Sequence, residues 1–88
     1  MTTWSRGDVT DPFAAASAIF LEARRSGRLG TLGSLVPTRW RMSPDTRVLF
    51  VTAAVEWYQL VGPDTERLFG RPIEIDGTLP RGWLELTT

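Results

Sequence analysis

The sequence predicts an α+β domain in which an N-terminal helix precedes a strand–helix–strand–strand unit with a small antiparallel or mixed sheet. Two patterns predict it. Residues 38–42 and 72–76 alternate between apolar and polar side chains, as half-buried strands do. Asp11 and Ser43 are capping residues that each stand directly before a proline, and a segment of helical length follows each pair.

Residues 1–10 are mostly polar, so we expect an irregular arm ahead of a single domain at residues 11–88. Trp4 would either anchor this arm on a partner or fold back onto its own domain, and the second is the commoner behaviour. Residues 11–26 hold strong helix formers, and Gly27 supplies the stop. The predicted buried side of this helix consists of Phe13, Ala16, Ile19, Phe20 and Ala23.

Glycine recurs at every third position after this helix, at residues 27, 30 and 33. The backbone N–H groups of such a loop can hold phosphate when a strand precedes it and a helix follows it. Here the order is reversed and the chain has no lysine, so a connector is the better interpretation.

Residues 47–59, within a predicted element at about 44–60, form a long apolar segment whose type is ambiguous. The β-branched and aromatic residues at 48–52 favour a strand, whereas the length of the segment and residues 53–58 favour a helix. We interpret it as a helix that is apolar on more than one side, which its own fold or another chain must cover. Strands are predicted at 72–76 and 83–86, and the predicted core consists of Trp40, Met42, Phe50, Ile73, Ile75, Leu84 and Leu86.

The composition argues against an enzyme. There is no cysteine or histidine, and all ten basic residues are arginines. Disulfides, thiolate metal sites and Schiff-base chemistry are thereby excluded, and the commonest general base is absent. Glu74 and Asp76 are outward carboxylates two positions apart, which suits a divalent ion or, more commonly, a solvated sheet face. We expect no catalytic residues, no metal and no cofactor.

The two halves of the chain differ in charge although the net charge is zero. Residues 1–44 hold six arginines against three carboxylates, and residues 45–88 hold four against seven, so the charges are +3 and −3. Opposite charges meet within one fold or in a head-to-tail contact between copies. Because the basic residues are few and scattered, we expect only weak, salt-sensitive binding to nucleic acid. No apolar run reaches the ~18 residues of a membrane span.

Several short motifs follow one another in a familiar order. Met42-Ser43-Pro44 enters the apolar helix, Leu68-Phe69-Gly70-Arg71-Pro72 enters the next strand, and Leu79-Pro80-Arg81-Gly82 precedes the last one. This order resembles a portion of the HK97-fold major capsid proteins of tailed phages. There a strand ends in a Met/Asn-Pro step, and a Leu-Phe-Gly-x-Pro-Val strand precedes a Met/Leu-Pro-x-Gly loop. The resemblance covers about half of the chain.

The subunits of that family are several times longer and carry an extended loop, a long spine helix and a second domain. The resemblance therefore implies a small phage-encoded protein that shares a piece of the architecture. It would be a head, connector, tail or accessory protein, made in the host cytoplasm and present in the virion if it is a structural part. The family supplies no catalytic residues.

Aromatic residues and arginine dominate interface hot spots, and this short chain has four tryptophans. The other interpretation is that the tryptophans fill an undersized core. The predicted contact residues are Trp4, Arg24, Arg25, Arg28, Trp57, Tyr58 and Trp83. We expect self-association or binding to other virion proteins. The alternatives are a phage-encoded inhibitor or regulator of a host protein and a weak nucleic-acid-binding module.

Overall fold

Two α-helices and a five-stranded mixed sheet make up the part of the chain that the computed structural model describes, residues 3–26 and 38–88. The elements in chain order are β1 (Thr3–Arg6), α1 (Pro12–Arg25), β2 (Arg39–Met42), α2 (Pro44–Tyr58), a 3₁₀ helix (Gly62–Glu66), β3 (Arg67–Leu68), β4 (Arg71–Ile75) and β5 (Leu84–Thr87). The predicted α+β class is confirmed. The predicted order is wrong at the start, because a strand and not a helix comes first.

The strands lie in the order β1-β5-β2-β4-β3, which places β2 at the centre. β2 runs antiparallel to β5 and parallel to β4, while the outer pairs β1–β5 and β3–β4 are antiparallel. A parallel pair needs a crossover connection, and α2 lies within the segment that supplies it.

Strand β1 replaces the irregular arm predicted for residues 1–10. Its backbone pairs with β5 at the far end of the chain, where Trp4 stands opposite Leu86. The polar side chains around Trp4 give no local sign of this pairing, because the partner strand is remote in sequence. Trp4 is buried in the core, so the interpretation that it folds back onto its own domain is confirmed. Strand β3 was also missed, because the sequence analysis treated that segment as a short connection between elements.

The core lies between one side of the sheet and the two helices. The strand register aligns Trp40 with Leu86 on one neighbour and with Ile73 on the other, so these side chains share a side. Helix α1 packs on β1 and β5 and contacts α2. The Trp40 indole N–H donates a buried hydrogen bond of 2.8 Å to the carbonyl of Leu68. Five predicted core residues are fully buried: Trp40, Met42, Phe50, Leu84 and Leu86.

Ile75 was predicted to be buried and is 50% exposed, so that prediction is wrong. Ile73 on the same strand is only partly buried. The reason is the short neighbouring strand, since β3 pairs with β4 only at Pro72 and Arg71. The second half of β4 is therefore an outer edge of the sheet.

The start of α2 is joined to the loop before β5. The Ser43 side chain caps the helix by accepting a hydrogen bond from the Thr46 N–H at 3.4 Å, and it accepts a second from the Trp83 N–H at 3.3 Å. The Asp45 carboxylate accepts a hydrogen bond of 2.8 Å from the Gly82 N–H. One corner thus connects the central strand, the second helix and the last strand.

Leu86 and Ile75 differ in burial, so truncating each of them to alanine should lower the stability of the fold by different amounts. We expect Leu86→Ala to lower the free energy of unfolding by about 2–5 kcal/mol, because it removes a fully buried side chain. Ile75→Ala should cost only about 1 kcal/mol, because half of that side chain is already in solvent. Urea denaturation of both variants measures the difference. Equal costs would mean that the edge of β4 is covered.

The hydrogen bond that the Asp45 carboxylate accepts from Gly82 predicts that the stability of the fold depends on pH. Hydrogen bonds from the Ser43 side chain and the Gly82 backbone hold the pKa of Asp45 below its ordinary value of 3.8. Stabilisation from a lowered carboxyl pKa is present above the unfolded-state pKa and is lost as the pH falls through the folded-state pKa. The stability difference between wild type and Asp45→Asn should therefore be largest near neutral pH and shrink in acid. Asp64→Asn is the control, and a pH-independent difference for Asp45→Asn would contradict the account.

Candidate interaction surface

The side of the sheet that faces away from the core carries an ion-pair network centred on Arg41. Its guanidinium contacts the Asp76 carboxylate, and its nitrogen atoms lie 3.5 Å from a Glu85 oxygen and 3.9 Å from a Glu74 oxygen. Arg39 approaches the same Glu74 oxygen at 3.4 Å. The alternation of β2 produces this arrangement, because its arginines point away from the core and face the acidic residues of β4 and β5.

Glu85 is the most buried carboxylate of this network, at 7% exposure. It accepts a hydrogen bond of 2.9 Å from the Trp83 indole N–H in addition to the contact with Arg41. Buried charges require partners of this kind. Glu74 and Asp76, which the sequence analysis considered as ligands for a divalent ion, thus contact arginines. Within residues 3–26 and 38–88 no group of three or more His, Cys, Asp or Glu side chains is placed to hold a metal ion.

Helix α2 is buried along one side only. Thr46, Phe50 and Ala54 recur every fourth residue and are fully buried. Val48 and Val55 lie seven residues apart on the opposite side, where they are 65% and 48% exposed. The helix therefore turns apolar side chains to solvent over much of its length.

A groove runs between α2 and the start of α1, along a different side of α2 from Val48 and Val55. We name it the α2 groove, and its lining residues are Thr10, Asp11, Pro12, Phe13, Leu49, Ala53, Trp57 and Tyr58. Its volume is about 390 Å³. Leu49, Ala53 and Trp57 recur every fourth residue and so form one row along the helix. The rings of Phe13 and Tyr58 lie 4.5 Å apart between their centres, which joins the two helices at this point.

Trp57 is the most exposed large apolar side chain among the described residues, at 78%. Tyr58 beside it is 56% exposed. Taking about 150–250 Å² for a whole aromatic side chain, this pair leaves on the order of 300 Å² in solvent. The largest apolar patch of a typical monomer measures about 300–600 Å², and Leu49, in the same row as Trp57, adds to the pair. The α2 groove and its rim are thus a candidate contact.

A second apolar surface lies on the C-terminal half of α1. We name it the α1 patch, and its lining residues are Ser17, Phe20, Leu21, Arg24 and Phe69. Leu21 and Phe69 are 48% and 45% exposed. Phe69 adopts a left-handed backbone conformation (φ 52°) next to Gly70, and this tight turn carries its ring to Phe20, with the centres 6.0 Å apart.

The predicted contact residues do not form one site. Trp57 and Tyr58 lie together in the α2 groove, whereas Arg24 lines the α1 patch and Arg25 follows it in the last turn. Trp83 is partly buried and bonded to Glu85, on the side of the sheet away from the core. Trp4 offers little surface because it is a core residue. Arg28 and the glycine-rich loop at residues 27–34 lie outside the described residues.

Leu21, Leu49 and Phe69 are surface residues that the sequence analysis did not select. Leu21 stands outside the apolar stripe of α1, which is the signal that could have identified it. Leu49 stands four residues before Ala53 and eight before Trp57, and this spacing was available in the sequence. Phe69 carries no such signal, because its exposure depends on the turn at Gly70.

Comparison with models of protein families, with curated proteins and with solved structures gives no match. The resemblance to tailed-phage capsid proteins therefore stays a prediction from the motifs. Neither helix in the described part of the chain has the length and apolar content needed to cross a bilayer.

The ion-pair network predicts that its two arginines, Arg41 and Arg39, contribute unequally to the stability of the fold. Arg41→Ala should lower the free energy of unfolding by about 1–3 kcal/mol, because it leaves the buried Glu85 without its cationic partner. Arg39→Ala is the matched control on the same side of β2. It should cost less than about 1 kcal/mol, since both members of its pair are exposed. Thermal and urea unfolding measure both, and an equal effect would contradict the central place given to Arg41.

Proposed function

We propose that this chain is a non-catalytic protein–protein interaction or structural protein whose contact surface is the α2 groove with the adjoining outer side of α2. The observation that carries the proposal is the exposure of Trp57 beside the apolar row of α2. A monomer gains nothing in stability from apolar side chains that stay in water, and such patches commonly mark contacts with other chains.

The composition of the surface supports this function. Interface hot spots are enriched in tryptophan and tyrosine, and they cluster where a partner can exclude water from them. Trp57 and Tyr58 are adjacent and stand over a concave surface. Leu49 and Ala53 provide a flat apolar row beside them, against which a partner helix or loop can pack.

The lack of catalysis is part of the same proposal. Histidine, cysteine and lysine are missing from the sequence, and the carboxylates on the outer side of the sheet contact arginines. A nucleophile needs a positioned base, and these side chains do not provide that pair.

The proposed source is a tailed phage, on the strength of the motif order from Met42 to Gly82. The chain would be a virion head, connector or tail component or an accessory protein, made in the host cytoplasm. An inhibitor of a host protein would use the same exposed aromatic pair. The two roles differ in the identity of the partner, so a binding experiment separates them.

Association through Trp57 can be measured by light scattering after size exclusion, at micromolar concentration, alone and with candidate virion or host proteins. We expect a mass above that of the monomer, or a stable complex with one of these proteins. Trp57→Ala should weaken the association by about 2 kcal/mol or more, as at an interface hot spot. Ile75→Ala, at an exposed apolar residue outside the groove, is the control. A monomer that binds none of the candidates would defeat the proposal.

A further inference from the structure

The two apolar surfaces of this chain carry opposite charges. Among the described residues, Asp11 is the one charged residue that lines the α2 groove. Glu56 is exposed and follows Ala53 by three residues and Leu49 by seven, so helical spacing places it beside the same row. Arg24 is the one charged residue among the described residues that line the α1 patch, and the Arg71 guanidinium lies 6.0 Å from the centre of the Phe20 ring. Opposite charges around apolar contacts steer encounter and fix register.

We propose that the α2 groove binds the α1 patch of a second copy of this chain in a head-to-tail contact. The proposal rests on the proposed function, because it takes the α2 groove as the contact surface and names what covers it. Leu21 and Phe69 of one copy pack against Trp57 of the other. Arg24 then faces the acidic rim at Glu56.

Charge disfavours the symmetric alternative, in which two α2 grooves face each other. That contact would bring two copies of Asp11 and two of Glu56 around the same apolar centre. No arginine is among the described residues that line the groove. Like charges without an intervening cation raise the free energy of such a contact.

The two surfaces lie at different positions along α1. Phe13 lines the groove near the start of α1, and Arg24 lines the patch near its end. At 1.5 Å per residue the two positions lie about 16 Å apart along the helix axis. The two surfaces share no lining residue, so each can take part in a contact of its own. A contact between different surfaces of identical chains closes into a ring or continues as a filament.

Two variants that each destroy one surface test the proposal. Trp57→Arg removes the aromatic anchor of the groove and places a positive charge next to Glu56, the residue that Arg24 of the other copy faces. Leu21→Glu removes an apolar anchor of the α1 patch and brings a negative charge to the acidic groove. Both side chains are exposed, so the fold should persist, and circular dichroism and thermal unfolding check this.

We expect the wild type to associate at micromolar concentration in sedimentation velocity, whereas each variant alone sediments as a monomer. The decisive sample is their equimolar mixture. The Trp57→Arg chain keeps an intact α1 patch and the Leu21→Glu chain keeps an intact groove, so the mixture should form a heterodimer that grows no further. A symmetric contact cannot produce this restoration.

Charge reversal gives a second measurement that does not depend on apolar substitutions. Glu56→Arg and Arg24→Glu should each weaken self-association about tenfold, and their combination in one chain should restore it. Unchanged self-association in the single variants would overturn the charge argument and with it the proposal.

The other outcomes separate this proposal from the proposed function. Self-association of Leu21→Glu at wild-type strength would overturn the head-to-tail contact and indicate a symmetric contact through the groove. A wild type that stays monomeric would also overturn it, and the proposed function would then be judged by binding to other proteins. The proposed function itself fails if Trp57→Arg alters neither self-association nor the binding of any partner.

Discussion

Trp40 and Met42 lie on the central strand β2, fully buried between the sheet and the helices, and most other features of the fold are arranged around them. They align with Leu86 and Leu84 on one neighbouring strand. The Trp40 indole N–H is satisfied by the Leu68 carbonyl, so the largest core side chain is buried without an unpaired donor. The alternation that turns these two inward turns the arginines of β2 outward, where the acidic residues of the neighbouring strands meet them.

A sheet with one layer of helices on it covers only one side of each helix. The proposed function explains why residues on the uncovered part of α2 are nevertheless apolar. Phe50 and Ala54 complete the core from α2, whereas Val48, Val55 and Trp57 are exposed. The apolar character of the outer side is thus unexplained by the stability of the monomer. The proposed contact with another chain would account for it, and the acidic residues at the groove would restrict which chain surfaces fit.

The sequence was sufficient for the parts of the fold that depend on local chemistry. Alternation identified β2 and β4, and the capping residues Asp11 and Ser43 located the starts of both α-helices. It was insufficient where the partner is remote. β1 was missed because its strand character arises from pairing with β5, and Ile75 was misjudged because its exposure depends on how short β3 is.

The candidate surface also has one part that local sequence predicts and one part that depends on remote contacts. The exposure of Trp57 and Tyr58 follows from a helix that is apolar on several sides, which the sequence shows. The α1 patch did not follow from the sequence, because Leu21 and Phe69 are brought together only by the turn at Gly70 and the packing of α1.

The claim that another chain covers the α2 groove can be tested most directly at the indole N–H resonance of Trp57 by NMR, assigned with a Trp57→Phe variant. We predict that it shifts or broadens as the protein concentration rises or as a binding partner is added. The Trp40 indole resonance should stay unchanged, since that group is buried and bonded to Leu68. A Trp57 resonance that remains constant at every concentration and with every candidate partner would contradict the account.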